Sequence, residues 1–141
     1  MKRQDFSKKI VIVINKALEQ WRVLNTVAHI SAYIGHQLGD DFDTDDFFET
    51  KDNFKYPRNS QYPIILLRAK PTQLSNLMIK VRESGLLYHS FIREMIETTD
   101  DQEIVDILSN KNDDEIDYLG IGIFGETDKV NTITKNYQVW R

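Results

Sequence analysis

Lys9-Ile-Val-Ile-Val-Ile14 decides the fold. Its β-branched residues do not alternate with polar ones, so a strand here expects cover on both faces, as in an α/β sheet. Read outward, Trp21 to Gly39 has helical spacing, with Leu24, Val27, Ser31, Ile34 and Leu38 as a largely apolar stripe and Gly35 and Gly39 near its end. Pro63 opens a second continuous apolar run, Ile64 to Arg68, which is also expected to be covered on both faces. Pro71 to Ser84 reads as a helix burying Leu74, Leu77, Met78 and Val81, and Gly85 stops it.

The second half repeats the alternation. Leu86 to Ile92 is a strand, and Thr99-Asp-Asp-Gln-Glu103 has capping-box spacing for a helix to Asn110. Asp117 to Phe124 is a strand ended by Gly125. Its Gly120 and Gly122 imply close approach by a neighbouring element. Thr127 caps a short helix to Thr134, and Tyr137 to Trp140 is a last edge strand. Asp40 to Pro63 is irregular, with short strands expected around Phe47–Thr50 and Phe54–Tyr56. The fold class is α/β: a single mixed sheet with helices on both faces.

Composition bounds the rest. A chain of 141 residues suits one domain, residues 1–141. It lacks cysteine, which removes disulfides, thiolate metal sites and cysteine catalysis. The polar stretch Met1 to Lys9 and the short run after it do not form a secretory signal, and no apolar run spans a membrane, so a cytoplasmic location is expected. The net charge of −4 opposes a broad nucleic-acid footprint. Small basic clusters stand at Lys2, Arg3, Lys8 and Lys9 and again at Lys129 and Lys135.

Few motifs carry chemistry. Asp41-x-Asp43-x-Asp45 opens like a calcium loop, but Asp46 and Asp52 stand where the turn glycine and bidentate glutamate belong. A solvated acidic loop without metal is expected, and no cofactor. The histidines His29, His36 and His89 have no zinc spacing. Asn25, His29 and His36 share one helix face, with Ala28, Ala32 and Gly35 beside them. Such a row of small and polar residues suits close contact with a ligand or with a second copy of the chain, so a homodimer is expected.

Five segments, in order, carry a family resemblance: Ile10–Ile14, Trp21-x-x-Leu24-Asn25, Ile92-Arg-Glu-Met-Ile-Glu-Thr98, Asp117-Tyr-Leu-Gly-Ile-Gly-Ile-Phe-Gly125 and Val130-x-x-Ile-Thr-Lys135. Together they resemble the family known as domain of unknown function 2000, over nearly the whole chain apart from Asp40–Tyr62. That family is similar in fold to the type II peptidyl-tRNA hydrolases, so the resemblance implies a fold of that type. In those enzymes a catalytic lysine begins the first helix and a histidine follows seven positions later. Arg22 and His29 hold these places here, with Thr26 in place of the glutamine between them. Glu94 and Thr98 keep the spacing of an acid and a threonine, Met95-Ile96 replaces Ala-Gly, and Gly120 stands where a strand threonine belongs.

The resemblance makes Arg22, His29, Glu94 and Thr98 the candidate catalytic residues, and Asn25, Lys129 and Lys135 the candidate ligand-binding ones. An arginine stays charged and does not readily donate or recover a proton. The reading adopted is a noncatalytic module that binds a small ligand or a protein. The alternative is an esterase releasing peptides from tRNA, with tRNA as partner only in that case. One pocket holding Arg22, Asn25, His29, Glu94 and Thr98, rimmed by Lys129 or Lys135, is the geometry the hydrolase mechanism would need.

Overall fold

The computed structural model describes residues 3–42 and 46–141. Lys2, Asp43 and Asp45 lie outside these residues, so the expectation of a metal-free acidic loop falls largely outside them.

The elements are β1 (Lys8–Asn15), α1 (Gln20–Leu38), β2 (Phe47–Glu49), β3 (Lys55–Pro57), β4 (Ile64–Ala69), α2 (Pro71–Ser84), β5 (Leu87–Ile92), α3 (Arg93–Glu97), α4 (Asp101–Leu108), β6 (Tyr118–Glu126), α5 (Thr127–Thr134) and β7 (Gln138–Val139). Short 3-10 turns follow α1 and precede β6. The main sheet has five strands in the order β5-β6-β1-β4-β7. β1 and β4 are parallel, and the other pairings are antiparallel. β2 and β3 form a separate hairpin.

β1 is the centre of the molecule. Ile10, Ile12 and Ile14 pack beneath Val23, Ile30 and Ile34 of α1, while Val11 and Val13 face Leu74, Leu77 and Val81 of α2 and Val130 of α5. The two-sided cover expected from its sequence is there. α2 also follows its expected span, with Gly85 in the left-handed conformation at φ 70°. Gln73 accepts a hydrogen bond from the Lys70 backbone N–H at 2.8 Å and so ties down the helix start.

Some expectations need correction. The buried stripe of α1 is Val23, Thr26, Ile30 and Ile34. Leu24, assigned to that stripe, is 63 % exposed. The β6 glycines explain the change of phase: a Cβ at Gly122 would stand 2.2 Å from Ile30 Cγ2, and one at Gly120 would stand 2.7 Å from Thr26 Cγ2. The helix therefore seats on a floor without side chains, and Thr26 can be buried because its hydroxyl donates to the Arg22 carbonyl at 2.7 Å. This is the close approach that the two glycines imply.

The second correction concerns β4, where only Leu67 and Ala69 are buried. Ile64 and Ile65 are 43 % and 36 % exposed, because β7 pairs only with Leu67 and Arg68 and leaves the start of β4 uncovered. The third lies between β5 and α4. Arg93–Glu97 forms a helical turn where a connection is expected, and Asp100 rather than Thr99 caps α4, accepting from the Gln102 N–H at 2.9 Å. β6 also runs past Gly125 to Glu126, since Lys8 and Lys9 of β1 continue to pair with it.

Candidate functional site

β1 and β4 lie side by side and parallel, yet the chain leaves them towards opposite faces, into α1 from β1 and into α2 from β4. Such a divergence opens a crevice at the carboxyl ends of the strands, where ligands of open α/β sheets gather. A crevice of about 360 Å³ lies there. Asn15 closes it from the end of β1, Arg22 enters from the first turn of α1, and Thr72 and Ser75 come from the start of α2. Arg93, Glu97, Asp114 and Asp117 complete the far wall.

Charge alternates along that wall. Arg22 donates to Glu97 at 3.1 Å, Arg93 lies 3.9 Å from the same carboxylate, and Arg93 pairs with Asp117 at 3.0 Å. The Arg22 guanidinium also lies over the Trp21 ring, 5.1 Å from its centroid. Among the described residues, Arg22 Nε is buried and has no hydrogen-bond partner. An orphaned N–H on a charged group is costly. Asn15 is set by its own turn, accepting from the Ala17 N–H at 2.9 Å.

The residues singled out by sequence do not share one site. Arg22 lines the crevice. Asn25 is half-buried one turn further along α1. His29, seven residues beyond Arg22, stacks on Phe91 with ring centroids 5.0 Å apart and lines a different hollow beside β5. Glu94 is buried, and its Oε1 accepts from Lys111 at 2.7 Å while Oε2 has no partner. Burial pushes this carboxyl up, but the Lys111 hydrogen bond and the charges of Lys111 and Arg93 bring it below its ordinary value. Thr98 donates its hydroxyl to the Glu94 carbonyl at 2.6 Å. Lys129 on α5 and Lys135 just after it are exposed and are not among the residues lining the crevice. The basic groups closest in chain to its rim are Lys16, Arg68 and Lys70, around a smaller recess of about 140 Å³.

Sequence reading passed over Asn15, Thr72, Ser75, Arg93, Glu97 and Asp117. A signal was there. Asn15 ends the apolar run of β1, and Pro71-Thr72 opens the helix after the second parallel run, so both could be placed at strand carboxyl ends. Arg93 and Glu97 are four apart, the spacing of a helical ion pair.

Fold and crevice together define an α/β domain with a polar pocket at a topological switch point. The sequence pattern of the family described as "Protein of unknown function (DUF2000)" matches residues 8–141, and the chain belongs to that family. No curated protein matches it. Among solved structures, it is similar to the protein of unknown function Atu0240 from Agrobacterium tumefaciens strain C58. The two share 21 % identity and a TM-score of 0.84 over 97 % of this chain and 100 % of that one. At that identity the likeness concerns the fold. Among the described residues, no helix is long and apolar enough to cross a membrane.

Proposed function

We propose that this domain is a noncatalytic module that binds a small polar ligand at the crevice, through an anionic group such as a carboxylate or phosphate. The observation that carries the proposal is the unpartnered Nε of Arg22, buried at the point where β1 and β4 diverge. A carboxylate or phosphate oxygen matches a guanidinium N–H in charge and geometry. The starts of α1 and α2 flank the same space and favour negative charge. Glu97, Asp114 and Asp117 disfavour a bare polyanion. They suit a ligand whose anionic group sits beside hydroxyl or amine donors.

A fold of the type II peptidyl-tRNA hydrolase kind, and a cytoplasmic location, belong to the same proposal. The alternative, ester cleavage of peptidyl-tRNA, gains nothing from the geometry. Arg22 is held by Glu97, Glu94 is tied to Lys111, and His29 stands on another hollow.

Calorimetric titration of the full chain with small carboxylates and with inorganic phosphate tests the proposal. Saturable binding that Arg22→Ala removes and Arg22→Lys only partly restores is expected. Binding unaffected by Arg22→Ala would refute it. Turnover of peptidyl-tRNA that disappears with Arg22→Ala and with Glu94→Gln would replace it with the hydrolase reading.

A further inference from the structure

The two edges of the sheet are finished differently. At the β4 edge, β7 pairs with Leu67 and Arg68, and the Trp140 N–H donates to the Leu66 carbonyl at 2.9 Å. At the opposite edge, all six residues of β5 pair with β6 on one side only. Among the described residues, no backbone group outside β6 bonds to Leu87–Phe91. Alternate N–H and C=O groups along the outer side of β5 are therefore open, a ready template for another strand. Natural edges are blunted by lysine, proline or a bulge. Leu87-Tyr-His-Ser-Phe-Ile92 has no lysine or proline, and its register irregularity comes only at Phe91/Ile92.

The surroundings of this edge are apolar and concave. Hollows of about 770 Å³ and 730 Å³ adjoin β5, and Tyr33, His89 and Met95 line both. Tyr33 stacks on His89, centroids 4.4 Å apart. α4 borders both hollows and buries none of its residues, with Val105 58 % exposed. The cations near the rim are paired within the chain: Arg82 with Asp113 at 2.6 Å, and Lys111 with Glu94 at 2.7 Å, while Asp101 adds a carboxylate to the second hollow. Covering this face would strand neither of these cations.

We infer that a second copy of this chain docks here, β5 against β5 in antiparallel register about a two-fold axis, with the apolar side chains around each strand filling the hollows of the other copy. Self-association fits because one patch carries both projections (Tyr33, Tyr88, Met95, Val105) and cavities, as an isologous interface requires. Antiparallel pairing of a strand with itself also satisfies both open edges at once. This inference uses a different face from the ligand crevice and stands independently of it.

Sedimentation equilibrium of the full chain tests it, with Tyr88→Lys and Val105→Lys as disrupting variants and Phe54→Lys, on the exposed β3 approach, as control. A dimer is expected, weakened at least about tenfold by each of the first two and unchanged by the third, with circular dichroism verifying the fold of every variant. Because the chain contains no cysteine, Tyr88→Cys and His89→Cys provide a second readout. Oxidation should cross-link copies through at least one of them and not through Phe54→Cys. A chain that stays monomeric at high micromolar concentration would overturn the inference. So would a dimer that Phe54→Lys breaks, or one that ignores both β5-side variants.

Discussion

The crevice at the ends of β1 and β4 and the open edge of β5 are built on opposite principles. In the crevice, the chain pairs Arg22 with Glu97 and Arg93 with Asp117, and among the described residues leaves one buried side-chain N–H there, on Arg22, without an acceptor. Along β5, His89 and Phe91 stack on rings of α1 and the outer backbone is left open. A single orphaned guanidinium donor selects for chemistry, an oxygen anion at one point. An open strand edge selects for main chain of any sequence, and the apolar hollows beside it supply the discrimination. α1 serves both, with Arg22 near its start and His29 and Tyr33 further along.

The largest expected effect follows from that shared helix. Gly122→Ala would place a methyl group 2.2 Å from Ile30 Cγ2, a branch fixed close to the helix backbone. α1 must lift, and a loss of about 2–3 kcal/mol in urea denaturation is expected. If the helix carries both regions, this one change should weaken anion binding and self-association together. An effect on only one of them would show that the regions are supported separately.

Next in size is Arg22→Ala, which should reduce affinity for a carboxylate ligand by about 10- to 100-fold, from a charged hydrogen bond contributing about 1.5–3 kcal/mol. The dimer should be unchanged, because Arg22 does not border the β5 hollows. A smaller effect of opposite sign is expected from Glu97→Gln. Removing the negative charge beside Arg22 should raise anion affinity by about threefold, since the pair is partly exposed and screened. A fall in affinity would mean that Glu97 positions Arg22 more than it competes with the ligand.

The smallest effects are in pH. Burial, together with the charge of His29, holds His89 below its ordinary 6.5, so the folded chain binds this proton less readily than the unfolded one. The stability it contributes is complete above 6.5 and declines as pH falls through that value. Glu94 is also depressed, from 4.5, so its contribution is complete above 4.5 and is lost as pH falls through its lower folded value. Denaturation midpoints measured across the acid range should fall in two steps, and His89→Asn should remove only the first. Loss of the second step in that variant would contradict the assignment.

How far this was legible in the sequence depends on the kind of interaction involved. β1, α2 and the seating of a helix on Gly120 and Gly122 could be read because apolar runs, helical periods and missing side chains are local signals. The phase of α1 could not. Leu24 and Val23 are equally apolar, and only the glycine floor from a strand some 95 residues away decides which of them turns inward. The exposure of Ile64 and Ile65 was hidden for a similar reason, since it depends on how short β7 is. Arg22 was reached through resemblance, and its neighbours Glu97, Arg93 and Asp117 were not. Arg22 meets Glu97 across α1 and α3, and Arg93 meets Asp117 just before β6, contacts that spacing alone does not bring together. The resemblance also grouped Arg22, His29 and Glu94, which the fold distributes between a crevice, a hollow and a buried ion pair.

The most direct measurement is nuclear magnetic resonance of the arginine Nε–Hε groups during titration with inorganic phosphate. If the crevice is the ligand site, the Arg22 Nε–Hε signal should shift saturably, accompanied by the backbone signals of Asn15, Thr72 and Ser75, while Leu87–Ile92 stay unmoved. A shift that centres on Lys16 and Lys70 and leaves Arg22 Nε–Hε in place would contradict the account.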